Sequence, residues 1–379
     1  MTVSLTEEKK ARIKSSCTEL IACTRPKIRH VAEVIGLLVS ALPGVHCGRL
    51  YTHSLHRDKN TGLKLSRGNY SACMQLSPES IQELHWWQST GITTSYRISH
   101  PAPAIVAMTD ASNKGWGGVI QGTCETVNGP WSEEEKMAHI NCLELKAILF
   151  TLKSLCQEKE NIHIRVLTDN TCAVSYITNF GGCRSLSCHN VARDIWIWAL
   201  QRNIWITVAH LPGKTNTSAD FQSRNVNPDC EWKLNPDIFS EAIQKLSFSP
   251  EIDLFASRLN HQIMPYVSFH SDPHSLAVDA FSLITWKKWK FYAFPPFAVI
   301  PLVLQKVICD KAFGLIIVPN WPTQAWYPTL YKLLIQPPIL LSRHWELLLS
   351  PLDSSQKHPL HRKMDLLACL ISGEQSHTQ

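Results

Sequence analysis

A chain of 379 residues that is 44% hydrophobic and 18% charged has room for two or three domains and the composition of packed globular material, which excludes a largely disordered protein. No run of about 18 uncharged apolar residues occurs; the greasiest stretch, 291–318, is broken by Lys306, Asp310 and Lys311, so no membrane association is expected. The formal charge of +6 is uneven, because residues 1–100 hold 13 Lys/Arg against 7 Asp/Glu and the remainder holds 24 of each; a basic first hundred suits a phosphate backbone.

The opening MTVSLTEEKKAR lacks the apolar core of a secretory signal, which points to an intracellular compartment, cytoplasmic or nuclear, where the thirteen cysteines are mostly buried thiols. Their number is odd and no C-x-x-C pair exists, so neither a disulfide framework nor a zinc ribbon is indicated; Cys183 and Cys188 flank a turn without a matching second pair. Residues 6–45 read as helical, from a Thr6 cap through apolar Val31, Val34, Ile35 and Leu38 to a stop at Pro43-Gly44. A polar, glycine-containing stretch, 56–70, follows, and Ser77-Pro78-Glu79 starts another helix reaching Trp87. The run His100-Pro101-Ala102-Pro103 marks a boundary.

Beyond it the pattern becomes three strands (105–110, 115–121, 125–131), a helix capped by Asn141 with the stripe Leu145, Ile148, Leu149, Leu152 and Leu155, a strand (162–168), two helices (171–180, 187–202) and a strand (204–209). This order predicts an α/β fold with a mixed sheet. Residues 225–236, with two Asn-Pro pairs, read as a linker. A third region, 238–352, holds strand-like runs at 251–255, 291–294 and 314–318, spaced as βαβ units, and the end from Ser354 reads as a polar tail.

Asp110 and Asp169 each close an apolar strand and each follows a threonine, Glu144 lies one residue before the apolar stripe of its helix, and Asp220 follows the last strand and a turn. Strand ends of α/β sheets gather ligands at one edge. A carboxylate carried against the sheet costs desolvation unless a cation compensates it. Four acids without basic partners repel one another, and hard cations such as Mg²⁺ or Mn²⁺ relieve that. Two such ions would activate a water and stabilise a leaving oxygen in phosphodiester cleavage.

The blocks TDASNKGWGG, NCLELKA, LTDNTCAVSYI and AHLPGKTNTSADFQSR resemble type 1 ribonuclease H in the form attached to retroelement reverse transcriptases, over about a third of the chain. That resemblance implies a ribonuclease H-like five-stranded mixed sheet over 101–225 and cleavage of the RNA strand of an RNA–DNA hybrid. It also implies two metal ions on Asp110, Glu144, Asp169 and Asp220, and His210 assisting proton transfer. Ser112 and Asn170 would contact RNA 2′-hydroxyls, although Asn170 is equally placed as a helix cap. The stretch IRHVAEVIGLLVSALPGVHCGRLYTHSL is similar to the segment between polymerase and ribonuclease H in DIRS-like, tyrosine-recombinase retrotransposons, which makes 1–100 a helical thumb and connection remnant. No Tyr-x-Asp-Asp motif occurs, so polymerase activity is not expected, and the tail holds no recombinase Arg/His/Tyr set. DLFASRLN, DAFSLITW and YAFPPF resemble the methylase-like domain of these elements, a Rossmann-like fold. Ala256-Ser257 stands where methyltransferases carry a glycine turn and Phe294 where they hold the amine, which argues against methyl transfer and leaves Asp253 and Asp279 as the polar residues of interest. The alternative to an enzyme is a nucleic-acid-binding remnant whose nuclease is idle.

Overall fold

The computed structural model describes residues 1–226, 232–341, 346–353, 355–359 and 363–374. The first hundred residues form β1 (Thr2–Ser4), α1 (Glu7–Ala22), α2 (Ile28–Ala41), α3 (His53–Leu65), α4 (Pro78–Ser89) and β2 (Ser95–Arg97), with β2 returning antiparallel to β1. Thr6 and Ser77 cap α1 and α4. The single helical stretch expected over 6–45 is two helices, since Pro26 and the residue before it cannot continue α1. The helices pack around Ile13, Leu20, Val31, Leu38, Leu55 and Trp87.

Much of the polar stretch 56–70 belongs to α3, which no side chain of its own caps. Glu83, buried on α4, does so instead, accepting from the backbone N–H of Ser54 (2.9 Å) and of Leu55 (3.1 Å). Burial pushes the Glu83 carboxyl up to about 7.

The next elements are β3 (Ile105–Ala111), β4 (Gly115–Ile120), β5 (Thr126–Pro130), α5 (Glu133–Lys136), α6 (Ile140–Leu155), β6 (His163–Thr168), α7 (Thr171–Thr178), α8 (Leu186–Gln201), β7 (Trp205–His210) and α9 (Thr217–Arg224). They build a five-stranded sheet in the order β5-β4-β3-β6-β7, antiparallel through β5, β4 and β3 and parallel through β3, β6 and β7. This is the five-stranded mixed sheet with flanking helices that the sequence pattern predicts. The cap of α6 is His139, whose Nδ1 accepts from the Asn141 N–H (3.1 Å), and not Asn141 as expected; Asn141 lies inside the helix.

Two glycines of β4 bring helices against it. Successive strand residues face opposite sides. A methyl group on Gly117 would press on Gln222, Ser223 and Ala219 of α9, and one on Gly118 would overlap Thr151 of α6. Gly117 sits opposite Asp110 in the β3–β4 register, so the bare backbone lets α9 close over that acid.

The remaining elements are β8 (Lys233–Leu234), α10 (Pro236–Lys245), β9 (Ile252–Asp253), β10 (Val267–Ser268), β11 (Ala277–Val278), β12 (Lys290–Ala293), α11 (Ile300–Asp310), β13 (Phe313–Pro319), α12 (Tyr327–Leu333), β14 (Ile339–Leu341), β15 (Leu348–Leu349) and β16 (Leu366–Ser372). A second five-stranded sheet has the order β14-β16-β13-β12-β9, with β9, β12 and β13 parallel and β16 antiparallel between β13 and β14. It is buried on both faces, by α11 residues such as Val303 and Val307 on one side and by Phe239 and Ala242 of α10 on the other. Two expectations change here. The stretch read as a linker lies outside the described residues at 227–231, but its second half forms β8, paired with β15, and Asn235 caps α10. The tail read as polar contains β16, whose run from Leu366 to Ile371 is buried, because seven ladder positions on β13 take up its backbone.

Arg258 joins the two sheets' layers: its Nη1 pairs with Glu135 (2.7 Å), its Nη2 donates to the Pro130 carbonyl (2.6 Å), and the guanidinium lies 4.8 Å from the centre of the Phe150 ring. Glu135 also pairs with Lys146 (3.2 Å) and completes the capping box of α5 with Ser132. No helix among the described residues is long and apolar enough to cross a membrane.

Gly118→Ala is expected to lower stability by about 1–3 kcal/mol through overpacking against Thr151, read as a lower urea midpoint at unchanged slope.

Candidate metal centre

The parallel register of β3 on β6 places Met108 opposite Leu167, which carries Asp110 and the first residue beyond β6, Asp169, to the same edge of the sheet. Glu144 comes to them from α6. Ligand oxygens of Asp110, Glu144 and Asp169 all lie within 4.8 Å of one another.

Asp110 and Glu144 are each 5% exposed, so water screens little of their repulsion. Burial, then Asp110 and Asp169, pushes the Glu144 carboxyl up to about 9 against an opposing hydrogen bond from the Ala111 backbone. Its Oε2 is buried with no hydrogen-bond partner among the described residues. Asp110 is also raised, first by burial and then by Asp169 and Asp220; the Ser223 hydroxyl, donating to Asp110 Oδ2 at 2.5 Å, and Arg224 work the other way. Three hard oxygen donors, one of them a buried oxygen without a partner, fit a divalent cation such as Mg²⁺ or Mn²⁺.

Asp220 is beside this group rather than in it. It stands in the first turn of α9, and its Oδ1 takes the Arg224 Nε at 2.6 Å across an exposed pair. The convergence of four acids expected from sequence is therefore three acids and a neighbour close enough to raise Asp110. His210 ends β7 opposite Thr168, one position short of Asp169, and is exposed.

Ser112 and Asn170 are engaged structurally. The Ser112 hydroxyl donates to the Ser223 carbonyl (2.7 Å) and accepts from the Lys114 N–H (3.1 Å), tying the β3–β4 turn to α9. Asn170 caps α7 by accepting from the Ala173 N–H (2.8 Å), and its amide donates to Asn141 Oδ1 (3.0 Å). Asp253 and Asp279 lie away from this centre: Asp253 is buried and accepts from the Gln262 N–H (3.0 Å), while Asp279, at φ 61°, caps the turn 280–282.

Three residues escaped the sequence reading. Ser223 supports Asp110, Asn216 is buried and donates to the Thr109 carbonyl (3.0 Å), and Gly213 lets the β7–α9 loop approach Asp169, whose Oδ2 would lie 2.8 Å from a Cβ there. Ser223 sits three positions beyond Asp220 on one helix, a spacing that marks a shared face.

No family model matches the chain. Over 144 residues it is 30% identical to the enzymatic polyprotein of cauliflower mosaic virus strain D/H, a match covering 34% of this chain and 21% of the relative. The Strasbourg strain's enzymatic polyprotein gives the same identity over 20% of its length. The chain thus spans about a fifth of the length of the curated relatives it matches. Among solved structures, LC11 ribonuclease H1 in complex with RNA/DNA hybrid is 18% identical at TM-score 0.29, covering 32% of this chain and 95% of that one. Ribonuclease H1 of Halobacterium salinarum is 18% identical at TM-score 0.29, covering 33% and 98%. The foamy viral protease-reverse transcriptase in complex with RNA/DNA hybrid is 14% identical at TM-score 0.22, covering 62% and 30%.

In metal-free protein the raised Glu144 carboxyl works against stability as pH rises: its contribution is complete below its unfolded value near 4.5 and is lost progressively up to about 9. Glu144→Gln, which cannot ionise, is expected to gain on the native chain across that window and to run parallel to it above, measured by urea unfolding in EDTA at several pH values.

Proposed function

We propose that this chain is a retroelement-derived nuclease that cuts the RNA strand of RNA–DNA hybrids with two divalent ions, Mg²⁺ or Mn²⁺. The observation that carries the reading is the trio Asp110, Glu144 and Asp169, held together although Glu144 Oε2 has no hydrogen-bond partner among the described residues. Asp110, Glu144 and Asp169 would hold the metal ions, and Asp220 would join them on leaving Arg224. Bound there, such ions supply an activated water and stabilise the leaving oxygen in in-line phosphodiester cleavage. The chain's own part is positional: Ser223 orients Asp110, and Asn216 ties the loop below Asp220 to the backbone of β3. His210, exposed at the same edge, is placed to pass a proton to the leaving group or to water. Asn170, fixed by Asn141, and Ser112, two residues beyond Asp110 and bonded to the Ser223 carbonyl, would be the polar groups nearest in sequence to the acids for an RNA 2′-hydroxyl.

The wider setting proposed is a DIRS-like retrotransposon polyprotein. Residues 1–100 would be a thumb and connection remnant, 101–225 the ribonuclease H unit, and the second sheet, from β8 to β16, a methylase-like domain. Supporting the last is its order, three parallel strands followed by an antiparallel strand inserted before the edge. Phe294 before Pro295-Pro296 offers no polar group for an amine, so the domain is assigned to positioning nucleic acid rather than to methyl transfer.

A second reading, a binding remnant that no longer cuts, draws on Asp220 being paired with Arg224. Exposed pairs of this kind are weak and yield to a divalent cation, so the nuclease reading stands first.

Purified protein with a labelled RNA–DNA hybrid and Mg²⁺ should release cut RNA. Asp110→Asn and Asp169→Asn should each reduce the rate by about 10²–10⁴-fold, the worth of several kcal/mol of metal-centred stabilisation. Equal rates in the native chain and both variants would sink the enzyme reading, and hybrid binding without cleavage would favour the idle remnant.

A further inference from the structure

At the edge of the first sheet away from the metal centre, where β6 and β7 begin, lies a cavity of about 210 Å³. Five strand steps of about 3.3 Å separate His163 from Thr168, which puts the cavity roughly 17 Å from Asp169. Its polar lining is Arg97 and Ser95 of β2, His46, His100 and two asparagines, Asn161 and Asn203; among the described residues no acid lines it. Arg97 is exposed and has no ion-pair partner among the described residues.

The sheet holds these groups in place. Buried His163 lies with Nδ1 2.7 Å from the Pro101 carbonyl and Nε2 2.8 Å from the Thr207 hydroxyl, so both its nitrogens are taken and the segment carrying His100 is fixed. The His100 ring stacks on Trp205 at 3.9 Å with the planes 1° apart, and His46 lies 5.6 Å from the same indole. Asn161 and Asn203 both stand at positive φ (58° and 51°), a conformation that asparagine tolerates. The Asn203 amide donates to Asn161 Oδ1 (2.8 Å), which leaves the Asn161 amino group to donate elsewhere. His100 Nε2 is buried with no hydrogen-bond partner among the described residues, and such an atom calls for one.

A fixed cation, two imidazoles, an amide and a hydroxyl around one small space, with no carboxylate among them, form a donor set for an oxyanion. They come from separate stretches of chain, so a tetrahedral anion with oxygens in all directions suits them better than a planar carboxylate. The volume is below the roughly 300–1,000 Å³ of pockets that enclose drug-sized ligands, which sizes the occupant as one phosphate with at most a short ester tail. We propose that this cavity binds a phosphate group, free or as a monoester, with Arg97 as its charged contact and His46, His100 and Asn161 as further donors. The site stands apart from the nuclease reading and holds or fails without it. Burial lowers both imidazoles below their usual value, His100 further through His163, His46 and Arg97, so an anion that favours their charged forms draws protons in as it binds.

The test is calorimetric titration of the full chain in EDTA with inorganic phosphate, adenosine 5′-monophosphate, sulfate and acetate. Phosphate should bind and acetate should not. Arg97→Gln should weaken phosphate by about tenfold or more, the usual worth of a charge-assisted hydrogen bond. Its melting temperature should be unchanged, because the Arg97 side chain makes no hydrogen bond among the described residues. Sulfate keeps its double charge near neutral pH, so its affinity should rise as pH falls through the imidazole range, and His46→Gln should reduce that rise. Adenosine monophosphate binding more tightly than phosphate, and weakened alike by Arg97→Gln, marks a monoester as the occupant; equal or weaker binding marks free phosphate. The site is overturned by no saturable phosphate binding in calorimetry or in phosphorus NMR line widths, by acetate binding as well as phosphate, or by native phosphate affinity in both Arg97→Gln and His46→Gln.

Discussion

Like charges held close together are the constraint around which the central part of this molecule is arranged. Asp110, Glu144 and Asp169 would separate or stay in water if the chain were free to let them. They are held by backbone: the parallel register of β3 and β6 sets two of them side by side, and the packing of α6 on the sheet delivers the third. The glycines of β4 belong to the same arrangement, since only bare backbone lets helices close on both faces at that depth. Folding energy gathered over a large apolar core is thus spent locally on an electrostatically unfavourable group, a pattern expected where a cation is to be held.

A second constraint links the two sheets. Glu135 finishes the cap of a one-turn helix, pairs with Lys146 on α6, and receives Arg258 from the other layer. Such a shielded group is costly to break from either side, because the remaining partner would keep its charge with little water to solvate it. Gln157 donating to the Ser275 carbonyl (3.3 Å) and Phe150 edge-on to His274 extend the same contact. The helix that bears Glu144 is therefore seated between its own sheet and the neighbouring layer.

Much of the centre was legible in the sequence because its determinants are local. An apolar run ending in a carboxylate, twice over, and an amphipathic helix with an acid at its edge locate Asp110, Asp169 and Glu144 without knowledge of long-range contacts. What was not legible depends on partners far along the chain. The N-terminus of α3 is capped by a residue 29 positions away, β8 exists through its pairing with β15, and β16 is a strand because β13 offers it an edge. Asp220 shows the limit most clearly: its spacing from the other acids matched, but its neighbour Arg224, one turn on, turns the carboxylate aside.

The placement of β16 has a consequence for how the chain matures during synthesis. The first sheet has all its strands by residue 210 and its covering helix by 224, so it can close while the rest is still being made. The second sheet cannot. Its β13 and β14 flank a gap that only residues 366–372 fill, so two apolar strands wait with open edges until the chain has grown past them. During that interval the finished first sheet, with the pocket for Arg258 already formed at Glu135, offers the incomplete layer a surface to dock on.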